Sequence, residues 1–305
     1  MSLLICFGTL PFSKSIFEFY NATGTLLEYS VNYYEIRIIG FPFTLYTFAV
    51  FGVFRGLQNT YYPMIIAIIG TIVNIFLDVI LVYGISDIIP PLQLEGAALA
   101  SVISQILMAI IATILMLKNT SIPLQPTTPI NKELSKFLFM IGNLIIRTIA
   151  LNLALYFATS FATAYGTNDI AAYTIAINLW FFAAFAVDGY ASAGNILSGK
   201  LYGAQQIETL VKLSQRLTKK ALIVGLIMAG IGAVFYTPIG TIFTSETQVL
   251  SKFYDVFWII LIMQPFCALA FVFDGIFKGL GKMKVLRNVL VTATVVIFIP
   301  GLLIS

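Results

Sequence analysis

Histidine is absent from this chain, and its two cysteines, Cys6 and Cys267, stand alone. Without imidazole there is no Ser-His or Cys-His nucleophile and no His-ligated metal, and no CxxC pair suggests zinc or redox chemistry. Hydrolase, zinc-enzyme and haem readings therefore lose most of their support. Charge is also scarce, since Asp, Glu, Lys and Arg make up 10% of 305 residues. A soluble domain carries about 25% charged residues.

Apolar residues fill the place of the missing charge, at 59% of the chain with a mean hydropathy of +0.97. The chain reads as an all-α polytopic membrane protein. Runs of about twenty apolar residues, the helical length that crosses ~30 Å of hydrocarbon, recur near 37–57, 64–84, 96–117, 137–163, 170–198, 218–243 and 253–277. Two more, at 1–17 and 286–305, are cut by the chain ends. Neither has the basic flank and small-residue cleavage site of a signal peptide.

The net charge of +4 matters less than its distribution. Alternate connections carry thirteen of the seventeen basic residues: Arg55; Lys118, Lys132 and Lys136; Lys200, Lys212, Arg216, Lys219 and Lys220; Lys278, Lys282, Lys284 and Arg287. The other connections hold Glu18, Glu28, Asp87, Glu95, Asp169 and Glu246. The positive-inside rule places the first set in the cytoplasm. Such regular membrane-flanking loops, poor in interleaved aromatics, argue against a nucleic-acid partner.

The stretch "PFTLYTFAVFGVFRGLQNT" (42–60) returns as "PFCALAFVFDGIFKGLGKM" (265–283), a shift of 223 residues. Six hydrophobic segments separate the copies, so both begin on the same side, and the halves read as parallel repeats about an axis along the membrane normal. The segment "LKNTSIPLQPTTPINKEL" between them reads as a cytoplasmic linker. The expected division is an amino-terminal lobe at 1–119, a linker at 120–135 and a carboxy-terminal lobe at 136–305. In a complete twelve-helix protein these lobes would supply helices 3–6 and 7–11, so about nine helices are expected here.

Ionisable residues inside the spans are few, and each costs at least ~2.5 kcal/mol at the bilayer centre on insertion scales. In "GTIVNIFLDVILVYG" (70–84), Thr71, Asn74 and Asp78 fall at i, i+3 and i+7 and share one helical face. That face must meet protein or water. It is either a packed polar cluster or an ion site, with Ser101 and Ser104 able to add oxygens. Asp188 begins a stripe with Ser192, Asn195 and Gly199 that suits a cavity wall or close helix packing equally. Asp274 has Lys278 one turn later, so a local i,i+4 pair is expected. Arg147 is expected to neutralise Asp188, or else to contact an anionic ligand. Tyr33, Tyr34, Trp180 and Phe181 suit interface or core more than a cation cage.

These stretches resemble one family. "EIRIIGFPFTLYTFAVFGVFRGLQNTYYPMIIAIIGTIVNIFLDVILVYG" with "EGAALASVISQ" is similar to helices four to six of multidrug and toxic compound extrusion (MATE) transporters. "GNLIIRTIALNLALYFATSFATAYGTNDIAAYTI", "DGYASAGNILSGKLYGA" and "DGIFKGLGKMKVLRN" resemble the second half of the DNA-damage-inducible bacterial subgroup. The resemblance implies two six-helix lobes around a cavity, in a multi-pass protein of the cell (inner) membrane. It further implies export of organic cations or other amphipathic compounds in exchange for H+ or Na+, with no other cofactor and no catalytic residue. Asn74 and Asp78 match the family's fifth-helix ion pair, Ser101 matches a sixth-helix hydroxyl, and Thr71 completes the face. Arg147, Asn178, Asp188 and Asn195 are candidate substrate-cavity residues. Asn195 stands where subgroup members often carry Glu, and the family's first-helix aspartate has no counterpart here. The chain is thus expected to be a fragment lacking the first two helices and the last. The expected partners are the lipid bilayer and a small amphipathic or cationic substrate, with the protein monomeric. Alternatives are a lipid-linked saccharide flippase of the same superfamily, which would want more cavity cations than Arg147, and a nonfunctional fragment. A membrane-embedded transferase would need a loop of clustered acids or histidine, which the sequence does not offer.

Overall fold

The computed structural model describes residues 2–19, 22–85, 89–122 and 133–304. Within them the chain is helical, relieved by one bridge between Ile85 and Ile89. Nine helical stretches among the described residues are long and apolar enough to cross a membrane. Each helix satisfies its own backbone hydrogen bonds, which a lipid environment requires. The expected linker falls largely on residues outside those described, as does Asp87.

Internal contacts divide the chain into two units, residues 1–127 and 128–305. In the first, α1 (Ser2–Thr9) and α2 (Ser13–Phe19) flank a tight turn at Leu10–Phe12 and pack on α3 (Gly24–Gly56). Helix α5 (Gln93–Asn119) lies between α3 and α4 (Tyr61–Tyr83). The core of this unit gathers Val50, Phe51 and Phe54 from α3, Ile66 from α4, and Ala112 and Met116 from α5.

In the second unit, α6 (Leu134–Tyr165) packs on α7 (Thr167–Gly203) and on α11 (Met283–Thr292). Helix α7 packs most extensively on α10 (Thr247–Gly279), and α8 (Ile207–Val234) covers both. The apolar run expected as one span at 218–243 breaks at Phe235, after which α9 (Tyr236–Phe243) begins. A π-helical stretch at Ala293–Phe298 leads into α12 (Ile299–Ile304).

The internal repeat extends to the element boundaries. Shifting α3 by 223 residues gives the bounds of α10, and Pro42 and Pro265 lie inside the two helices at equivalent places. The break at Leu10–Phe12 falls on the break before α9. Gln58 (φ 63) and Gly281 (φ 69) share the left-handed turn after the repeated helices. Such a φ costs little for glycine and more for glutamine.

Small residues set the approach of α7 to α10. Side chains added at Gly275 or Gly279 would collide with the α7 backbone at Ala191 and Asn195, and Ser198 donates to the Ile276 carbonyl at 3.2 Å. The equivalent Gly52 and Gly56 have nothing within 4 Å. Close packing therefore accounts for the Asn195–Gly199 part of the small-residue stripe.

Candidate functional site

Helices α4 and α5 run antiparallel, with Gly70 against Met108 and Gly96 against Leu81. That register brings Asn74 level with residues 103–104 and Asp78 level with 99–100, and sets Ser101 within one turn of Asp78 along the axis. Asp78, Asn74 and Ser101 are all half-buried, whereas Thr71 is exposed. The Nδ2 of Asn74 is fully buried without a hydrogen-bond partner. No hydrogen bond or ion pair engages Asp78 among the described residues. Ser104 is buried and its hydroxyl donates to the Ala100 carbonyl at 2.8 Å, so it is spent on its own helix.

This arrangement is unusual for a membrane helix. Buried polar groups are nearly always satisfied, and an orphan is costly to leave unmade. Here an unsatisfied amide lies one turn from an unpaired carboxylate. The two ends of an amide are assigned from their neighbours, so the side chain turned over would present oxygen instead of nitrogen at the same point. Asp78, Asn74 and Ser101 thus put one carboxylate, one amide and one hydroxyl within about one turn of each other along the helix axis, whereas exposed Thr71 stands about 10 Å from Asp78 along α4.

The remaining candidates separate. Arg147 does not pair with Asp188 as the sequence suggested. Its Nη2 lies 2.6 Å from Asp274 Oδ1, while Lys278 Nζ lies 2.6 Å from the other oxygen, Oδ2. One carboxylate thus bridges a local partner on α10 and a distant one on α6. These side chains are 15% exposed at Asp274, 21% at Arg147 and 34% at Lys278. Asp188 is exposed within its unit and has no partner among the described residues. Asn178 is exposed and donates to the Thr174 carbonyl of its own helix at 2.8 Å.

The MatE family model matches residues 1–80 and 144–303. The chain belongs to the MatE family. It is 29% identical over 259 residues to Protein DETOXIFICATION 42 of Arabidopsis thaliana, covering 83% of this chain and 48% of that protein. To the DNA damage-inducible protein F of Escherichia coli it is 27% identical over 298 residues, covering 95% and 63%. To the multidrug export protein MepA of Staphylococcus aureus it is 26% identical, covering 83% and 53%. The chain therefore spans about half to two thirds of the length of these relatives. An outward-facing multidrug resistance MATE family transporter superposes with a TM-score of 0.88 at 20% identity, over 97% of this chain and 66% of that one. A point mutant of the Vibrio cholerae MATE transporter VcmN gives 0.87 at 22% identity over 98% and 67%. At these identities the likeness establishes the fold: a multi-pass helical membrane protein of MatE architecture.

Sequence reasoning missed polar residues on the same level of this MatE chain. Helix α3 begins at Gly24, thirteen residues before the apolar run, and carries Asn32, Glu35 and Arg37. Ser13 donates to Glu35 at 2.8 Å, and Asn32 donates to Glu95 at 3.1 Å. With its amide oriented to suit its neighbours, Gln105 accepts from Arg37 at 3.0 Å and donates to the Gly40 carbonyl at 3.2 Å. Asp255, early in α10, was also missed and is exposed. A hydropathy window dilutes such residues at the edge of a run. The helical spacing of Asn32, Glu35 and Ile36 with the later core positions of α3 was the signal available.

Proposed function

We propose that this protein is a secondary transporter of the cell (inner) membrane, exporting organic cations or other amphipathic compounds by cation-coupled antiport. The coupling ion is H+ or Na+, and Asp78 is its binding group, assisted by Asn74 and Ser101, with Thr71 two turns away on the same face. The observation that carries this reading is the pair formed by Asp78 and Asn74. A carboxylate without a partner among the described residues and a buried unsatisfied amide, one turn apart in a membrane span, form an incomplete set that a cation would complete. An ion that binds one conformation better than the other shifts the balance between inward-open and outward-open states by that difference in affinity. MatE membership and the name of the MepA relative, a multidrug export protein, support the substrate class. The flippase alternative loses ground, because Arg147, the span cation that favoured it, is already neutralised by Asp274.

The test is transport of a fluorescent organic cation in proteoliposomes, with a proton or a sodium gradient imposed separately. Wild type should respond to one gradient, and Asp78→Asn should lose that response at matched yield and unfolding midpoint. Asn74→Leu should weaken ion affinity without abolishing coupling, since it removes one neutral ligand and leaves the carboxylate in place. Export by Asp78→Asn with unchanged ion dependence would make Asp78 a packing residue.

A further inference from the structure

Helix α8 meets its unit with one face and leaves the other open. Leu210, Leu217, Ala221, Gly225 and Gly232 are buried within the carboxy-terminal unit. On the opposite face Arg216, Lys219, Lys220 and Ile223 fall at i, i+3, i+4 and i+7, Ile227, Ile231 and Val234 continue the same stripe, and all seven are exposed.

The stripe changes character at one point. Residues 221–234, "ALIVGLIMAGIGAV", carry no polar side chain, and Ile223, Ile227, Ile231 and Val234 are each at least half exposed, so this part of the face suits hydrocarbon. From Ile223 to Val234 it runs ~16 Å along the axis, about the depth of one leaflet's acyl chains. Directly before it stand three cations within five residues. No hydrogen bond or ion pair engages Arg216, Lys219 or Lys220 among the described residues, whereas Lys212, one turn earlier, is paired with Glu208. Like charges three and four residues apart on a helix repel. Their aliphatic stems let the charged heads reach the membrane surface, but all three arrive at the same place. A partner that offsets them is anionic, sits where hydrocarbon gives way to headgroups, and tolerates an apolar surface directly beneath it. An acidic phospholipid meets all three conditions.

We infer that the Arg216–Lys219–Lys220 face of α8 binds the phosphate headgroup of an anionic phospholipid, whose acyl chain lies along Ile223, Ile227 and Ile231. With the orientation drawn from the basic loops, this lipid is one of the cytoplasmic leaflet.

The test is native mass spectrometry of the full chain purified in detergent, titrated with dioleoyl phosphatidylglycerol or with dioleoyl phosphatidylcholine. Wild type should bind the anionic lipid at least about tenfold more tightly, on a scale of about fivefold for each cation near an anionic surface. The triple variant Arg216→Gln/Lys219→Gln/Lys220→Gln should bind both lipids alike. Lys212→Gln, which removes a cation already paired, should keep the wild-type preference. Inorganic phosphate should fail to displace the phosphatidylglycerol.

Equal binding of the two lipids by wild type, or a preference that survives in the triple variant, overturns the site. A loss in Lys212→Gln as large as in the triple variant also overturns it, because overall charge then suffices. Displacement by inorganic phosphate makes the patch a site for soluble anions, and the lipid assignment falls. Should the triple variant fail to accumulate as folded protein, Lys219→Gln decides: a preference lowered about threefold or more supports the site, and an unchanged preference refutes it.

Discussion

The ion triad of the carboxy-terminal unit offers the sharpest test of the structure. Asp274 accepts Arg147 from α6 on one oxygen and Lys278 from its own helix on the other, both at 2.6 Å. In Asp274→Asn both cations lose their counter-charge. Removing one partner of a fully buried pair costs ~3–5 kcal/mol. The present side chains keep partial exposure, and Lys278, one residue from the helix end, can reach the interface along its aliphatic stem. Arg147, well inside α6, has less freedom to do so. We therefore expect Asp274→Asn to destabilise by roughly 1.5–3 kcal/mol, and Lys278→Met by less than about 1 kcal/mol. The double variant Arg147→Met/Asp274→Asn should cost less than the sum of its single variants, because it leaves no orphaned arginine. The assay is denaturant unfolding in detergent micelles followed by tryptophan fluorescence, with all four corners of the cycle measured. If the two single changes add to the double within ~0.5 kcal/mol, or if Asp274→Asn costs no more than Lys278→Met, the α6–α10 pairing carries no weight and the simpler i,i+4 pair suffices.

Three further outcomes are expected. Gly275→Ala should destabilise by about 1–3 kcal/mol because its new methyl meets α7 backbone; Gly52→Ala, with open space around it, should be neutral or slightly stabilising in the same unfolding assay. Asp169 binds Lys252 through both oxygens at 2.6 and 2.7 Å, but the pair is partly exposed, so Asp169→Asn should cost no more than ~1 kcal/mol. In a cysteine-free background, a cysteine at Asn168 should label with a membrane-impermeant maleimide from outside and one at Gln206 should not; the reverse pattern would overturn the orientation drawn from the basic loops.

Much of this architecture was legible in the chain itself. Hydrocarbon cannot hydrogen-bond, so every spanning segment must be a self-satisfied apolar helix, and hydropathy alone therefore locates the spans. The repeat was equally visible, because matching residues at a constant shift favour matching helix bounds, and α3 and α10 share theirs with a proline at the equivalent place. The spacing of Thr71, Asn74 and Asp78 likewise put them on one face, since a helix's periodicity is a local property. Helix length was less readable: α3 runs on from the membrane-like run into polar residues that find partners on α2 and α5.

The partners of buried charges were decided by packing. Sequence spacing ranks Lys278 first for Asp274 and cannot see Arg147, more than a hundred residues away, because that distance closes only when α6 and α10 take their places. The same packing settled the small residues of α7, assigning Asn195 and Ser198 to close contact with α10 and leaving Asp188 exposed within its unit. Helical periodicity determines which residues stand together, while the depth and rotation at which one helix meets the next determine which of them find a partner.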